Sequence, residues 1–354
     1  VPAARHLPLP PREGRPVRMV DVARRAGVSR ALVSLVLSGK PGASPANREK
    51  VLAAAAELGY SPDSNAARLR SGGGRLVGVV FDGHDAFTAR VLDAAHEAVA
   101  ARGEDLVLTM ASASVPLARA LRTLRAQRVR GVLVISSAPV DEAAAALLMS
   151  GPAVFVGAYP PASLDGAVGS VHTDDDAGIR EVVRHLVGLG HRSLLVTRVV
   201  GRRSGDVRAD AALDEAQSLG VEAHEVPATA YDESAGVLVG REMLRLSGAR
   251  HGGGSRSTAL VAANDALALG AIQALRAGGL RVPEDVSVTG FDDAGSGPSP
   301  AVAALGLTTV RQDAEALVSA ALDLLDTAAS TAAGTERVLP PELVLRSTTA
   351  APSA

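Results

Sequence analysis

The stretch DVARRAGVSRALVSLVLSG, residues 21–39, gathers Ser29, Arg30, Ala31, Ser34 and Leu35 within seven positions. On a helix that starts after Ser29, these side chains lie at or near one outward face. An arginine so placed can donate paired hydrogen bonds to O6 and N7 of guanine in the DNA major groove. The two serines can donate or accept. Ala31 can offer apolar contact, for example to a thymine methyl, and Leu35 can make no hydrogen bond at all. The chemistry on offer is recognition of base edges, with no reactive centre in it. Helical periodicity equally suits Leu35 to the core of a small domain. Around the group, Arg24, Arg25, Lys40, Arg48 and Lys50 supply cations. Such side chains contact phosphates, which fixes register without reading sequence, or else stand solvated.

A base-reading group needs a short helix held firmly, and the flanking residues provide for one. Val22 and Ala26 are four apart, on one helix face. Gly27 can take the left-handed backbone that ends a helix, and Val28 can pack under the turn. Ser29 can cap a second helix, which runs through Leu32, Val33, Val36 and Leu37. Two short helices joined by a tight glycine-containing turn form the helix-turn-helix pattern, whose second helix fits the major groove. A plain helical hairpin at a domain edge has the same spacing. After the loop SGKPGA, Ser44 caps a third helix with Pro45 at its first position, and Gly59 ends it. Val51, Leu52, Ala55 and Leu58 form its apolar stripe. SPDSNAARLRSGGGR follows, and the triple glycine Gly72–Gly74 marks a domain boundary.

The 354 residues leave room for two or three compact units, at roughly 100–200 residues each. Hydrophobic residues make up 47% of the chain and aromatic ones 2%, so the core must be aliphatic. There is no cysteine, which excludes disulfides and thiolate metal sites, and the eight histidines are scattered without metal-ligand spacing. No apolar run approaches the roughly 18–20 residues that span a membrane. Residues 1–18 lack the apolar region of a signal peptide; a Pro- and Arg-rich arm on a cytoplasmic protein is expected. The net charge of −2 is unevenly divided: residues 1–72 carry twelve Lys and Arg against five Asp and Glu. A basic head on an acidic body implies that only the head meets a polyanion.

Beyond the glycines, strand and helix patterns alternate. RLVGVVF, EDLVLTM, GVLVIS, AVFVGA, GAVGSVHT, SLLVTRV, TALVAAN and VSVTGF read as buried strands, with helices such as TARVLDAAHEAVAARG between them. Alternation of this kind calls for parallel sheets with helices on both faces, and about nine strands suit two doubly wound lobes better than one wide sheet. Ligands of such folds bind outside the carboxyl ends of the strands, so a cleft between lobes is the expected site. Enzyme signatures are missing. HGGGS at 251 is similar to the oxyanion loop of lipases, but no G-x-S-x-G nucleophile elbow accompanies it. No P-loop, HExxH, or G-x-G-x-x-G entering a helix occurs. No catalytic residue, metal or cofactor is expected.

Five motifs in order then carry a resemblance: DVARRAGVS, REKVLAAAAELGYSPDSNAARLRSG, LVGLGHRSL, AANDALALGAIQALRAGGLRVPEDVSVTGFDD and LTTVRQD. From about Val17 onward the chain resembles the lactose/galactose-repressor (LacI/GalR) family of bacterial transcription regulators. The resemblance implies an all-α helix-turn-helix headpiece on an α/β core of two doubly wound parallel-sheet lobes, like that of periplasmic binding proteins. It implies a ligand-responsive regulator, a repressor, that binds a pseudo-palindromic operator as a homodimer, with a sugar-like or other small polar effector between the lobes. A solute-binding protein with the same core is the alternative; it would need an export signal and no basic head.

The expected organisation is an arm over 1–17, a headpiece over 18–62, a hinge helix and linker over 63–74, and a core over 75–350. Within the core, one lobe is expected over about 75–169 and 296–330, and the other over about 170–293 and 336–350. In SNAARLRSG the resemblance gives Asn65 a DNA contact, packs Ala66 near its dimer mate and wedges Leu69 into the minor groove. In the cleft it points to Asp82, His84 and Phe87 after the first strand, and to Arg208, Asn264 and Asp292. Asp174 and Asp175 fall where the chain crosses between lobes. Four positions depart from the family pattern: Arg18 removes an N-cap threonine, Leu35 stands where arginine is frequent, Ala211-Ala212 replaces a Gly-aromatic pair, and Gly157 replaces a polar residue. Under this reading Leu69→Ala lowers operator affinity by an amount on the order of a few kcal/mol and reduces operator bending, because the unstacked base step loses its wedge. Charge-driven non-specific binding stays the same. Gel mobility of bent operator fragments checks both.

Overall fold

The computed structural model describes residues 17–60, 76–83, 85–136, 138–248, 257–293, 301–328 and 334–353. Asn65, Ala66, Leu69 and His84 lie outside the described residues. The chain divides into two compact units, Val1–Gly73 and Gly74–Ala354.

The first unit holds three helices, α1 (Met19–Ala26), α2 (Arg30–Leu37) and α3 (Pro45–Glu57). Their ends form as the local sequence dictates. Gly27 takes φ 67°, a left-handed conformation that costs glycine nothing. The Ser29 hydroxyl accepts the Leu32 N–H at 3.2 Å, and the Ser44 hydroxyl accepts the Asn47 N–H at 3.4 Å. At the start of α1, Arg18 gives no side-chain cap; its own backbone N–H donates instead to Asp21 at 2.9 Å. The core is Val22, Ala23, Val33, Val36, Val51, Ala54 and Ala55. Leu52 departs from the expected stripe: it is 50% exposed, because Ala54 and Ala55 supply the small side chains that let α3 sit close to its neighbours.

The second unit contains two six-stranded sheets. The first has the order β11-β5-β4-β3-β1-β2, from β1 (Leu76–Phe81), β2 (Asp105–Met110), β3 (Gly131–Ile135), β4 (Ala153–Val156), β5 (Gly169–Thr173) and β11 (Glu336–Leu339). All its pairings are parallel. The helices α4 (Ala86–Ala101) and α12 (Ala314–Ala328) contribute to one apolar cluster against the sheet, while α5 (Leu117–Ala126) and α6 (Glu142–Met149) contribute to another. The second sheet has the order β12-β10-β9-β8-β6-β7, from β6 (Ser193–Val199), β7 (Glu222–Ala228), β8 (Ala259–Val261), β9 (Ser287–Asp292), β10 (Thr308–Arg311) and β12 (Glu342–Val344). Its helices are α7 (Asp175–Gly188) and α8 (Arg203–Ser218) in one cluster, α9 (Glu233–Gly248) and α10 (Asp265–Ala277) in the other, and the short α11 (Ala301–Leu305). β12 alone runs antiparallel to its neighbour. No helix among the described residues is long and apolar enough to cross a membrane.

Twelve strands thus replace the nine expected, and the crossings between lobes shift. β5 belongs to the first sheet, so the first lobe runs past the expected bound at 169 and the chain crosses at Asp174, where Asp174 and Asp175 were expected to lie at the crossing. β10 pairs with β9 and stays in the second lobe, which moves the next crossing from 294–295 to Gln312-Asp313. β11 then returns to pair with β5, and the third crossing is Pro340-Pro341. Each change has the same origin: a short strand is claimed by the sheet edge that can satisfy its backbone hydrogen bonds.

Helices α9 and α10 approach closely through glycine. A Cβ on Gly236 would collide with the Leu267 backbone and one on Gly270 with the Glu233 carbonyl; one on Gly240 would lie 2.7 Å from the Ala271 oxygen. This contact sets the amino ends of the two helices side by side. Gly240→Val should therefore destabilise the core by about 1–3 kcal/mol or more, since neither backbone can retreat without losing packing. Urea unfolding of the variant measures it.

Candidate functional site

Between the two sheets lies a cavity of about 700 Å³. Its lining comes from the carboxyl ends of parallel strands in both lobes: Asp82 after β1, Ser136 after β3, Gly157 after β4, Asn264 beyond β8, Asp292 on β9 and Gln312 after β10. This is where open α/β sheets present loop ends and helix amino termini to a ligand.

Arg208, on α8, is the centre of the second-lobe wall and only 5% exposed. Its Nη1 donates to the Ala263 carbonyl at 2.7 Å and its Nη2 to Asp175 at 3.2 Å. Nε lies 3.1 Å from the other Asp175 oxygen but makes no hydrogen bond. The guanidinium carbon sits 3.7 Å from the centre of the Phe291 ring, a cation–π contact strengthened by the lack of water. Burial alone would lower the Arg208 pKa, but Asp175, Tyr231 and Asp292 together hold it above the ordinary arginine value. Asp175 is 2% exposed, and burial raises its pKa against the pull of Arg208. Asp292 lies 3.9 Å from Nη1 and accepts the Gln312 amide at 2.7 Å. Burial first, then Asp265 and Asp85, push its pKa well above the carboxylate range.

Two tyrosines flank Arg208 and Asp175, Tyr231 lining the cavity and Tyr159 behind it. Tyr231, its pKa pushed up to about 12 chiefly by burial, lies with its hydroxyl 2.7 Å from that of Ser204. The pKa of Tyr159, in the first lobe, is raised by burial first and then by the charge of Asp175. Both are neutral phenols near pH 7.

Of the cleft residues expected from sequence, Asp82, Phe87, Arg208, Asn264 and Asp292 all line the cavity. Phe87 does so while 8% exposed in the first-lobe core, its ring filling the space that a side chain at Gly157 would occupy. Asn264 is only partly available: its carbonyl oxygen accepts the Leu267 N–H at 2.9 Å as the cap of α10. Asp174 is likewise a cap, accepting the Ala177 N–H at 2.9 Å. Tyr231, Ser204 and Gln312 were not expected; Tyr231 follows β7, an exposed edge strand whose alternation is polar.

In the first unit, Ser29, Arg30 and Ala31 are exposed at the start of α2, and Ser34 and Leu35 are half-buried. Leu35 faces Gly42 in the loop before α3. Arg48 donates to the Lys40 carbonyl at 2.9 Å and reaches the Val36 carbonyl at 3.5 Å, which ties α3 to the end of α2. Arg25 pairs with Glu57 at 2.6 Å across the domain surface.

Comparison with known proteins accounts for both units. Residues 18–63 match the model of bacterial regulatory proteins of the lacI family, and residues 183–349 match the periplasmic binding protein-like domain. A helix-turn-helix transcriptional regulator from the aml 5′ region of Streptomyces limosus is 34% identical over 359 residues, covering 96% of this chain and 97% of that protein. The crystal structure of the Lac repressor dimer bound to operator and the anti-inducer ONPF is 29% identical with a TM-score of 0.74, over 95% of this chain and all of that one. The transcriptional regulator CelR in complex with cellobiose is 28% identical with a TM-score of 0.65, over 94% of this chain and all of that one. Similarity therefore runs unbroken from the short capped helices through both lobes of the core, and the chain belongs to the lacI family of bacterial regulatory proteins, a transcriptional regulator that binds DNA.

Proposed function

We propose that the protein is a cytoplasmic, homodimeric repressor that binds a pseudo-palindromic operator and responds to a small polar effector held in the cavity between the lobes. The observation that carries the effector half is Arg208, a buried guanidinium that lines the cavity together with Asn264 and Asp292. The operator half rests on α2, whose exposed Ser29, Arg30 and Ala31 suit base edges, and on the hinge read from residues 63–74. The solute-binding alternative leaves the headpiece without a role.

The two lobes already touch on either side of the cavity. Arg203, on the same helix as Arg208, donates to the Pro160 carbonyl at 2.8 Å and pairs with Asp165 at 2.7 Å. Arg90 of the first lobe donates to the Asp293 carbonyl at 3.0 Å. An effector that draws on Arg208 pulls on the helix that carries this latch, and so biases the angle between lobes. The bias is no larger than the difference in effector affinity between the two arrangements.

Operator affinity should fall steeply with salt as phosphate contacts release counterions. Arg30→Ala should cost about 1–3 kcal/mol and relax preference at one base pair; footprinting on an operator library reads both, and unchanged preference would remove Arg30 from the base-reading set. For the effector, a thermal-shift screen of a broad metabolite library on the full chain identifies ligands. Truncating Arg208 alone would strand Asp175 as a buried charge, costing about 3–5 kcal/mol. The double variant Arg208→Met, Asp175→Asn avoids this, and should keep ligand-free operator affinity while losing every ligand-induced change. A double variant that still responds in fluorescence anisotropy would place the grip elsewhere.

A further inference from the structure

At the end of β9 the backbone turns in an unusual way: Asp292 and Asp293 have φ values of 119° and 48°. Among the described residues, Arg128 is the one other non-glycine residue with a positive φ. Two such residues in succession cost free energy and persist only where their surroundings over-determine the backbone. Asp292 lines the cavity, whereas Asp293 does not.

The carboxylate of Asp293 is wholly buried and clamped from two sides. Arg311 Nε donates to Oδ2 at 2.8 Å, and Arg346 Nη2 donates to Oδ1 at 2.7 Å. Both are charge-assisted hydrogen bonds, about twice as strong as neutral ones. Each arginine is anchored in turn, Arg346 on the Leu307 carbonyl and Arg311 on Glu342, both at 2.8 Å. Gln312 fixes the preceding residue: its backbone N–H donates to the Asp292 carbonyl at 3.3 Å and its amide to the Asp292 carboxylate at 2.7 Å. Arg311 and Gln312 stand at the second crossing between lobes, and Glu342 just after the third. Toward the first lobe this clamp presents the Asp293 carbonyl, which accepts from Arg90 Nη1 at 3.0 Å. Arg90 is on α4, 14% exposed, with its Nη2 3.6 Å from Glu315 on α12. Those two helices pack on one face of the first sheet, so the bond reaches the body of that lobe rather than a loop.

We propose that Asp293 is the positioning residue for the angle between the lobes: its carboxylate, held by Arg311 and Arg346, keeps the left-handed backbone that aims the Asp293 carbonyl at Arg90. Without the clamp the backbone relaxes, the carbonyl swings away and Arg90 loses its acceptor. Asp292 is the preceding residue, so an occupant of the cavity that displaces its carboxylate turns this same backbone. The role of Asp293 in the lobe angle stands on this geometry alone. Its effect on operator affinity rests on the protein responding through that angle.

The chain has no cysteine, so spin labels at Glu142→Cys on α6 and Gln217→Cys on α8, both exposed, report the distance between lobes in the full chain. Labelled protein is diluted into unlabelled protein, so that each measured pair lies within one protomer. Arg203→Met is present throughout, so that the latch to Asp165 does not mask the effect. Double electron–electron resonance should give one narrow distribution for this parent. Asp293→Asn, which keeps the side-chain shape and tolerates a left-handed φ, and Arg90→Met should each broaden it or add a second distance. The two together should broaden it no further than the stronger one alone, since both remove one contact. An unchanged distribution in either variant, or broadening that adds in the double variant, overturns the proposal. If Asp293→Asn fails to fold, Arg311→Gln, which opens one side of the clamp at a partly exposed residue, should broaden the distribution instead, and an unchanged width there overturns it equally. Operator affinity, read by anisotropy, should shift by about fivefold or more and in the same direction for Asp293→Asn and Arg90→Met. Altered distances with unchanged operator affinity keep Asp293 in this role and count against the lobe angle as the control of DNA binding.

Discussion

The guanidinium of Arg208 is asked to satisfy two carboxylates, an aromatic face and a backbone carbonyl in a place that water does not reach. A buried ion pair contributes little net stability, because desolvation consumes most of the Coulombic gain, yet breaking one is expensive. That asymmetry turns the pair into a constraint. Asp175 begins α7 directly after the first crossing between lobes, and Arg208 sits in the middle of α8. As long as the pair holds, those helices, the crossing and the cavity wall keep one arrangement. Tyr159 of the first lobe lies near enough to Asp175 to feel its charge, and His172 packs on that tyrosine with ring centres 4.2 Å apart. Whatever enters the cavity meets a wall that is fixed from behind.

The headpiece is held by much weaker means. Its fully buried core is seven small aliphatic side chains, with Leu37, Leu58 and Tyr60 among the half-buried residues packed against them, and a domain of this size is marginal by surface-to-volume scaling. Caps and backbone geometry therefore matter more than packing: the Ser29 and Ser44 hydroxyls, the left-handed Gly27 and the Arg48 bonds to carbonyls near the end of α2. None of these fills a volume, so the exposed face of α2 tolerates sequence change without loss of the fold.

How far the sequence could be read depended on whether a feature was local. The helix-turn-helix was legible in full because its signals, Gly27, Ser29, Ser44 and Pro45, act within four residues of where they stand. The buried strands were legible as apolar runs. β7, β11 and β12 were not, since edge strands with exposed polar side chains carry no such run, and β10 was not either, because its buried TTVR has two threonines and a single aliphatic residue. Leu52 was misread because Ala54, three residues after Val51 and beside Ala55, takes its place in the stripe. In the cavity, Arg208, Asn264 and Asp292 were found through resemblance, whereas Tyr231 and Gln312 are brought there by chain segments 23 and 104 positions beyond Arg208, a convergence that no short window contains.

The placement of α12 and β11 sets an order on the making of the protein. Both belong to the first lobe, where Leu317, Val318, Leu322 and Leu325 cover the sheet beside α4 and β11 extends its edge at β5. Yet residues 174–311, nearly the whole second lobe, separate them in the chain from the strands they complete. During synthesis the lobe that begins first is thus finished second. Until residues 314–339 leave the ribosome, α4 alone covers one apolar face of its sheet, and a nascent chain must carry the rest of that face exposed while the other lobe folds. The longer that half-built state lasts, the longer apolar surface stays open to other copies of the chain, and exposed surface of that kind is what makes folding intermediates prone to aggregate.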